Sequence, residues 1–117
     1  MALYQTLPIY KDIYSLTLLV FKTTKEFDKD YKYSLGVDMN NMVLSMLQQI
    51  YKVNKNPNKV ELLDLLQDNI ELFTLQSRLA GDINAISTAK RAEISVCLEK
   101  INKQIIGWKK SLKAGQS

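Results

Sequence analysis

The residues best suited to chemistry in this chain are few, and their pattern argues against a catalytic centre. Four carboxylates, Glu61, Asp64, Asp68 and Glu71, recur at spacings of three, four and three and so share one face of a helix. Such a face can supply half of a carboxylate metal site in a helix bundle, where inward glutamates join Glu-x-x-His pairs from the facing helices. The chain has no histidine, which removes the commonest metal ligand and the usual proton shuttle. The four acids also fall on the side away from the apolar stripe of their own segment, and they read as a solvated acidic face. Cys97 is the single cysteine. It stands on an apolar helical face and reads as a buried structural thiol, while its lack of an internal disulfide partner fits a reducing compartment. No glycine-rich phosphate loop or Walker-like lysine motif occurs. The chain is therefore expected to be no enzyme, with no cofactor, no metal and no small-molecule substrate.

The elements that carry these residues are helical. Pro8 suits a first helical turn, where its missing N–H costs nothing, and the first helix is expected from about Pro8 to Lys25, with Ile9, Ile13, Leu16, Val20 and Phe27 marking its core side. A charged corner, Phe27-Asp28-Lys29-Asp30, leads into a second helix that starts at Asp30 or Tyr33 and ends near Asn54. Its apolar face is Leu35, Met39, Met42, Val43, Met46 and Ile50, and Gly36 near its start marks an expected close helix contact. Asn54-Lys55-Asn56-Pro57-Asn58 is the strongest breaker. Asn58 with Glu61 resembles a capping box for a third helix, built on Leu62, Leu63, Leu66, Ile70 and Phe73 and stopping at Gly81, a natural residue just past a helix end. Ser87 or Thr88 caps a fourth helix that runs to about Leu112 on Ile94, Cys97, Leu98, Ile101, Ile105, Trp108 and Leu112. Met1–Leu7 is expected to be a loose lead-in and Lys113–Ser117 to fray. Four helices on short connections make an all-α, up-down-up-down antiparallel four-helix bundle, one domain over residues 1–117 with an ordered core of about 8–112.

A hydrophobic fraction of 46% in 117 residues is ordinary for a chain that buries one core. The N-terminal stretch lacks the features of a signal peptide, and the apolar run Leu16–Phe21 is too short for a membrane span. The expected setting is cytoplasmic, with no membrane. The net charge of +4 is unevenly spread. Residues 61–82 hold five acids and only Arg78, while residues 83–117 hold seven bases and two acids. The bundle topology gathers Lys22, Lys25, Lys29, Lys32, Arg78, Lys90 and Arg91 at one pole, and Lys52, Lys55, Lys59, Lys109, Lys110 and Lys113 at the other. From these, Lys22, Lys25, Lys29, Lys32, Lys90, Arg91, Lys109 and Lys110 are candidates for contact with nucleic-acid phosphates. Aromatic platforms for stacking single-stranded bases are not evident.

Three helices carry a second apolar line besides their core face. Tyr10, Tyr14, Leu18 and Phe21 form one. Tyr33, Val37, Leu44, Leu47 and Tyr51 form another. Leu65, Leu72 and Leu79 repeat at seven-residue steps. Ordered apolar strips of this size on a soluble chain mark an interface, and Tyr10, Tyr14, Leu18, Phe21, Tyr33, Val37, Leu44, Tyr51, Leu65, Leu72 and Leu79 are the candidate oligomer contacts.

The order and spacing of Phe27, Tyr31, Lys32, Tyr33, Leu35, Gly36, Ile50, Tyr51 and Asn54, with Ile105-Ile106-Gly107-Trp108 near the end, resemble a known four-helix-bundle family. That family unites the accessory protein Avd of diversity-generating retroelements with proteins encoded by intervening sequences in bacterial 23S rRNA genes. The resemblance covers most of residues 7–112. It implies a barrel-shaped homopentamer and a non-enzymatic accessory or scaffold role, with RNA or a reverse transcriptase as partner through a basic surface. After the Leu-Gly pair, where many relatives place bases, this chain has Val37, Asp38, Met39, Asn40 and Asn41, so family RNA contacts do not carry over there. Lys32 is the one base inside the matching motif. A protein-interaction homo-oligomer without nucleic-acid affinity is the competing expectation.

Overall fold

The computed structural model describes residues 7–115 and shows the antiparallel bundle. Helix α1 covers Pro8–Thr24. Helix α2 opens with a turn at Lys29–Tyr31, widens into a π turn at Lys32–Gly36 and continues as Val37–Val53. Helix α3 covers Lys59–Asp82 and α4 Thr88–Ala114. Each helix packs on its chain neighbours, and α4 returns to α1, so α1 and α3 stand diagonally opposite across a rod of 50 × 21 × 19 Å. The expected lead-in falls outside the described residues except at Leu7, and of the expected frayed tail Lys113 and Ala114 are helical while Gln116 and Ser117 lie outside.

Apolar residues at helical spacing close the core. Ile13, Leu16, Val20, Met39, Val43, Met46, Leu63, Leu66, Phe73, Ile94, Ile101 and Ile105 are fully buried. Leu35, Met42, Leu62, Cys97, Trp108 and Leu112 lie half-buried against them, at the margins of the same faces. Val53 is buried as well and extends the α2 face one turn past Ile50. Two buried hydroxyls are satisfied within their own helix: Thr17 donates to the Ile13 carbonyl (2.8 Å) and Thr23 to that of Leu19 (2.7 Å).

The α1–α2 corner turns on Phe27 and Gly36. Phe27 is buried, and a Cβ at Gly36 would lie 3.5 Å from its ring and 3.6 Å from Thr24 Cβ. The expected close helix contact at Gly36 is present. The sequence gives no sign of the π turn beside it, where Tyr31 and Leu35 both lie half-buried against the core.

Two helix ends differ from expectation. Ser87 caps α4 as expected, its hydroxyl accepting from the Lys90 N–H (3.1 Å). Asn58 stands at the N-cap of α3, but its side chain makes no capping bond; Asn56 Oδ1 accepts from the Asn58 N–H instead (2.9 Å), in a tight polar turn after the Pro-containing breaker. Gly81 does not end α3. The helix runs through Asp82, and Asn84 takes the left-handed conformation at φ 60. The Ala85 N–H then bonds to the Ala80 carbonyl (2.8 Å) and the Asn84 N–H to that of Gly81 (3.1 Å), the two bonds of a Schellman cap. Gly81 serves a different need: a Cβ there would meet Arg91 Cδ at 2.9 Å, so its bare backbone lets the Arg91 side chain cross.

Two stability measurements follow from this packing. Gly36→Ala fits at ordinary van der Waals distances and changes stability by under about 1 kcal/mol, whereas Gly36→Leu overpacks the Phe27 corner and costs about 1–3 kcal/mol, read from urea unfolding midpoints. Ser77 is buried with an unpartnered hydroxyl. Ser77→Ala therefore raises stability by about 1 kcal/mol, from removed desolvation and better helix propensity.

Candidate functional site: basic poles and apolar outer faces

Among the described residues no group of His, Cys, Asp and Glu is placed to hold a metal, and no helix is long and apolar enough to cross a membrane. Glu61, Asp64, Asp68 and Glu71 are exposed on α3, as their spacing suggested. Cys97 is half-buried against the core, and burial, reinforced by the nearby Asp12 carboxylate, raises its thiol pKa above the ordinary value; the Lys100 cation opposes this. The thiol is therefore protonated and unreactive near neutrality.

Every seam of the bundle holds a polar link between helices. Between α1 and α2, Thr24 donates to Asn40 Oδ1 (2.8 Å). Between α2 and α3, Asn69 donates to Gln49 Oε1 (2.9 Å). Between α3 and α4, Gln67 donates to Asn102 Oδ1 (3.3 Å) and accepts from Lys109 Nζ (2.8 Å), which also pairs with Asp64. Between α4 and α1, Gln104 donates to Asp12, and Lys100 lies 3.4 Å from the same carboxylate. None of these links has a sequence signature, because single polar residues at helix flanks look the same whether they face a neighbour or water.

The links decide which bases remain available. Lys109, only 19% exposed at its side chain, is held across the α3–α4 seam. Lys59 caps the end of α2, donating to the Val53 and Asn56 carbonyls (2.8 and 3.0 Å). Lys55 donates to the Tyr51 hydroxyl and sits over its ring. At the other pole, Arg78 and Arg91 both approach Asp82 (4.0 and 3.9 Å), and Lys90 lies 3.5 Å from Glu93. Lys22, Lys25 and Lys29 have no ion pair among the described residues, and Lys32 stands 5.8 Å from the Tyr33 ring centre. Lys110 is exposed near the end of α4.

Around the pole where α1 ends, two open grooves adjoin. Lys22 and Lys90 line one, with Ala85 and Ile86 of the α3–α4 loop. Lys25 and Lys32 line the other, with Phe21, Tyr33 and Val37. Phe21 and Tyr33 come from different helices, so the sequence shows no hint that they border one groove. The corner acids Glu26, Asp28 and Asp30 are exposed at the same pole.

The candidate apolar contacts are outward-facing with one exception. Tyr10 is half-buried and stacks on Tyr14 at 6.3 Å. Tyr14, Leu18, Phe21, Tyr33, Val37, Leu44, Tyr51, Leu65, Leu72 and Leu79 are all exposed, Tyr33 the most at 71%. Tyr10 borders Leu47 and Tyr51 in one groove while Phe21 borders Tyr33 and Val37 in another, so the stripes of α1 and α2 run side by side along one flank. Leu75, Val96 and Ile106 are also exposed and were missed. Leu75 had a signal, since it fills the three-four spacing between Leu72 and Leu79.

These features define a small antiparallel bundle with polar seams, apolar outer stripes and lysine-bearing poles. The family model described as bAvd-like matches residues 7–112, and the chain belongs to that family. No curated protein matches the chain.

The Cys97 thiol gives a pH test. Its pKa is raised by folding, so the unfolded chain ionises first and stability falls as pH rises above the unfolded value. Urea unfolding near neutrality and at about pH 10 is expected to show a larger loss for the parent protein than for Cys97→Ser, and alkylation at about pH 8 to be slower folded than unfolded.

Proposed function

We propose that the chain is a non-enzymatic, cytoplasmic accessory protein that works as a homo-oligomer. It contacts RNA, or a ribonucleoprotein such as a reverse transcriptase with its RNA, through the pole where α1 ends. What carries this reading is the set Lys22, Lys25, Lys29 and Lys32, exposed or half-exposed bases from α1 and α2 without ion pairs among the described residues, together with Lys90 across the adjoining groove. Ammonium groups at groove walls suit backbone phosphates, which fix position without reading bases. The role and the pentameric state come from the family resemblance, and bAvd-like membership is the ground on which they rest. A second reading, a protein-interaction oligomer with no nucleic-acid affinity, is favoured by the exposed apolar stripes alone.

Fluorescence anisotropy with a structured RNA separates the two. If about four phosphates are neutralised, affinity falls roughly 150-fold between about 50 and 200 mM salt. Lys29→Glu/Lys90→Glu weakens binding at low salt by at least about tenfold, while Lys109→Ala lowers stability and leaves affinity unchanged. Absence of binding at low salt overturns the RNA reading and leaves the oligomer standing.

A further inference from the structure

Among the outer helix faces that the bundle itself leaves without a partner, those of α1 and α3 differ in charge. On α3, Glu61, Leu65, Asp68, Leu72, Leu75 and Leu79 follow one another at alternating steps of four and three residues, the spacing of a coiled-coil seam, and all six are exposed. On α1, Lys11, Tyr14, Leu18, Phe21 and Lys25 follow at steps of three and four and are also all exposed. Of the two acids next to this second seam, Asp12 is turned toward α4, where Lys100 and Gln104 hold it, and Glu26 is exposed beside Lys25, leaving the seam and its flanking Lys22 with more bases than acids. The only base on α3 after Lys59, Arg78, is drawn to Asp82. One seam is thus apolar and basic, the other apolar and acidic.

We infer that the occupant of the α3 seam is the α1 seam of a second copy of this chain, in a head-to-tail contact. This rests on the homo-oligomer reading above and deepens it by naming the two surfaces that meet. Like-with-like pairing sets lysine against lysine on α1 or carboxylate against carboxylate on α3, whereas the crossed pairing joins opposite charges around an apolar centre. Because α1 and α3 are diagonal in the bundle, one chain offers both faces at once and neither contact obstructs the other. A contact between two different patches does not close as a two-fold dimer; it propagates until a ring closes. The flanking charges make the assembly salt-sensitive, and the buried leucines and aromatic rings supply the apolar part.

The test reverses charge on each face separately and then on both. Sedimentation or light scattering at micromolar concentration is expected to show that Lys11→Glu/Lys25→Glu and Glu61→Lys/Asp68→Lys each dissociate the assembly. The fourfold variant, whose faces are complementary again, is expected to reassemble, with far-UV circular dichroism checking helicity throughout. A second measurement does not depend on charge: Leu18→Cys/Leu72→Cys in a Cys97→Ser background, oxidised, is expected to give a ladder of covalently linked chains, since diagonal helices cannot link within one chain. Both face reversals assembling like the parent, or no ladder from an assembled cysteine variant, overturns the head-to-tail pairing and leaves the oligomer reading intact. A parent protein that is monomeric at these concentrations overturns both.

Discussion

The bundle depends on the close approach of α1 and α2 at Gly36. Phe27 must be buried where the chain reverses, and only a residue without a long side chain lets its ring lie against the start of α2. The π turn at Lys32–Gly36 lies at the same corner, where Tyr31 and Leu35 are both half-buried against the core. Thr24 then reaches Asn40 one turn further in. Once this corner sets the direction of α2 relative to α1, the short connections and the core-side apolar faces favour one arrangement of α3 and α4, the one that buries those faces.

Burial alone does not fix how far each helix slides along its neighbour, because leucine and methionine faces repack with modest cost. The polar link in each seam does. A pair such as Asn69 with Gln49 loses its hydrogen bond if the helices shift by one turn, and partly buried amides left unpaired are costly. The same links sort the lysines. Lys59 and Lys109 are occupied in holding the bundle together, and the bases at the end of α1 are left for other uses. Distinguishing structural from available cations in this way requires coordinates, since all are lysines at flank positions in the sequence.

The exterior is divided by helix. The α1 and α2 flank joins aromatic and aliphatic side chains to lysines, α3 joins leucines to carboxylates, and α4 shows only Val96 and Ile106 among its exposed large apolar residues. That division leaves charged apolar faces and a lysine-bearing pole outside the core of this member of the bAvd-like family. The one thiol is half-buried with a raised pKa, and the acidic row of α3 is exposed.

The sequence by itself determined the helices, their order and nearly all of the core, because apolar residues at 3.6-residue spacing and strong punctuation at Pro8, Asn54–Asn58 and Ser87 leave little freedom. It also determined that outer stripes exist on α1, α2 and α3. Tertiary structure alone decided the rest. It assigned the left-handed helix stop to Asn84, where the cap bonds from Asn84 and Ala85 close on Gly81 and Ala80, and it put Gly81 under the Arg91 side chain. It tied Lys109 across the α3–α4 seam and brought Phe21 and Tyr33 to one groove, since both outcomes depend on which helices are neighbours. Periodicity along a chain reports how much of each helix is apolar; only packing reports which neighbour each remaining side chain meets.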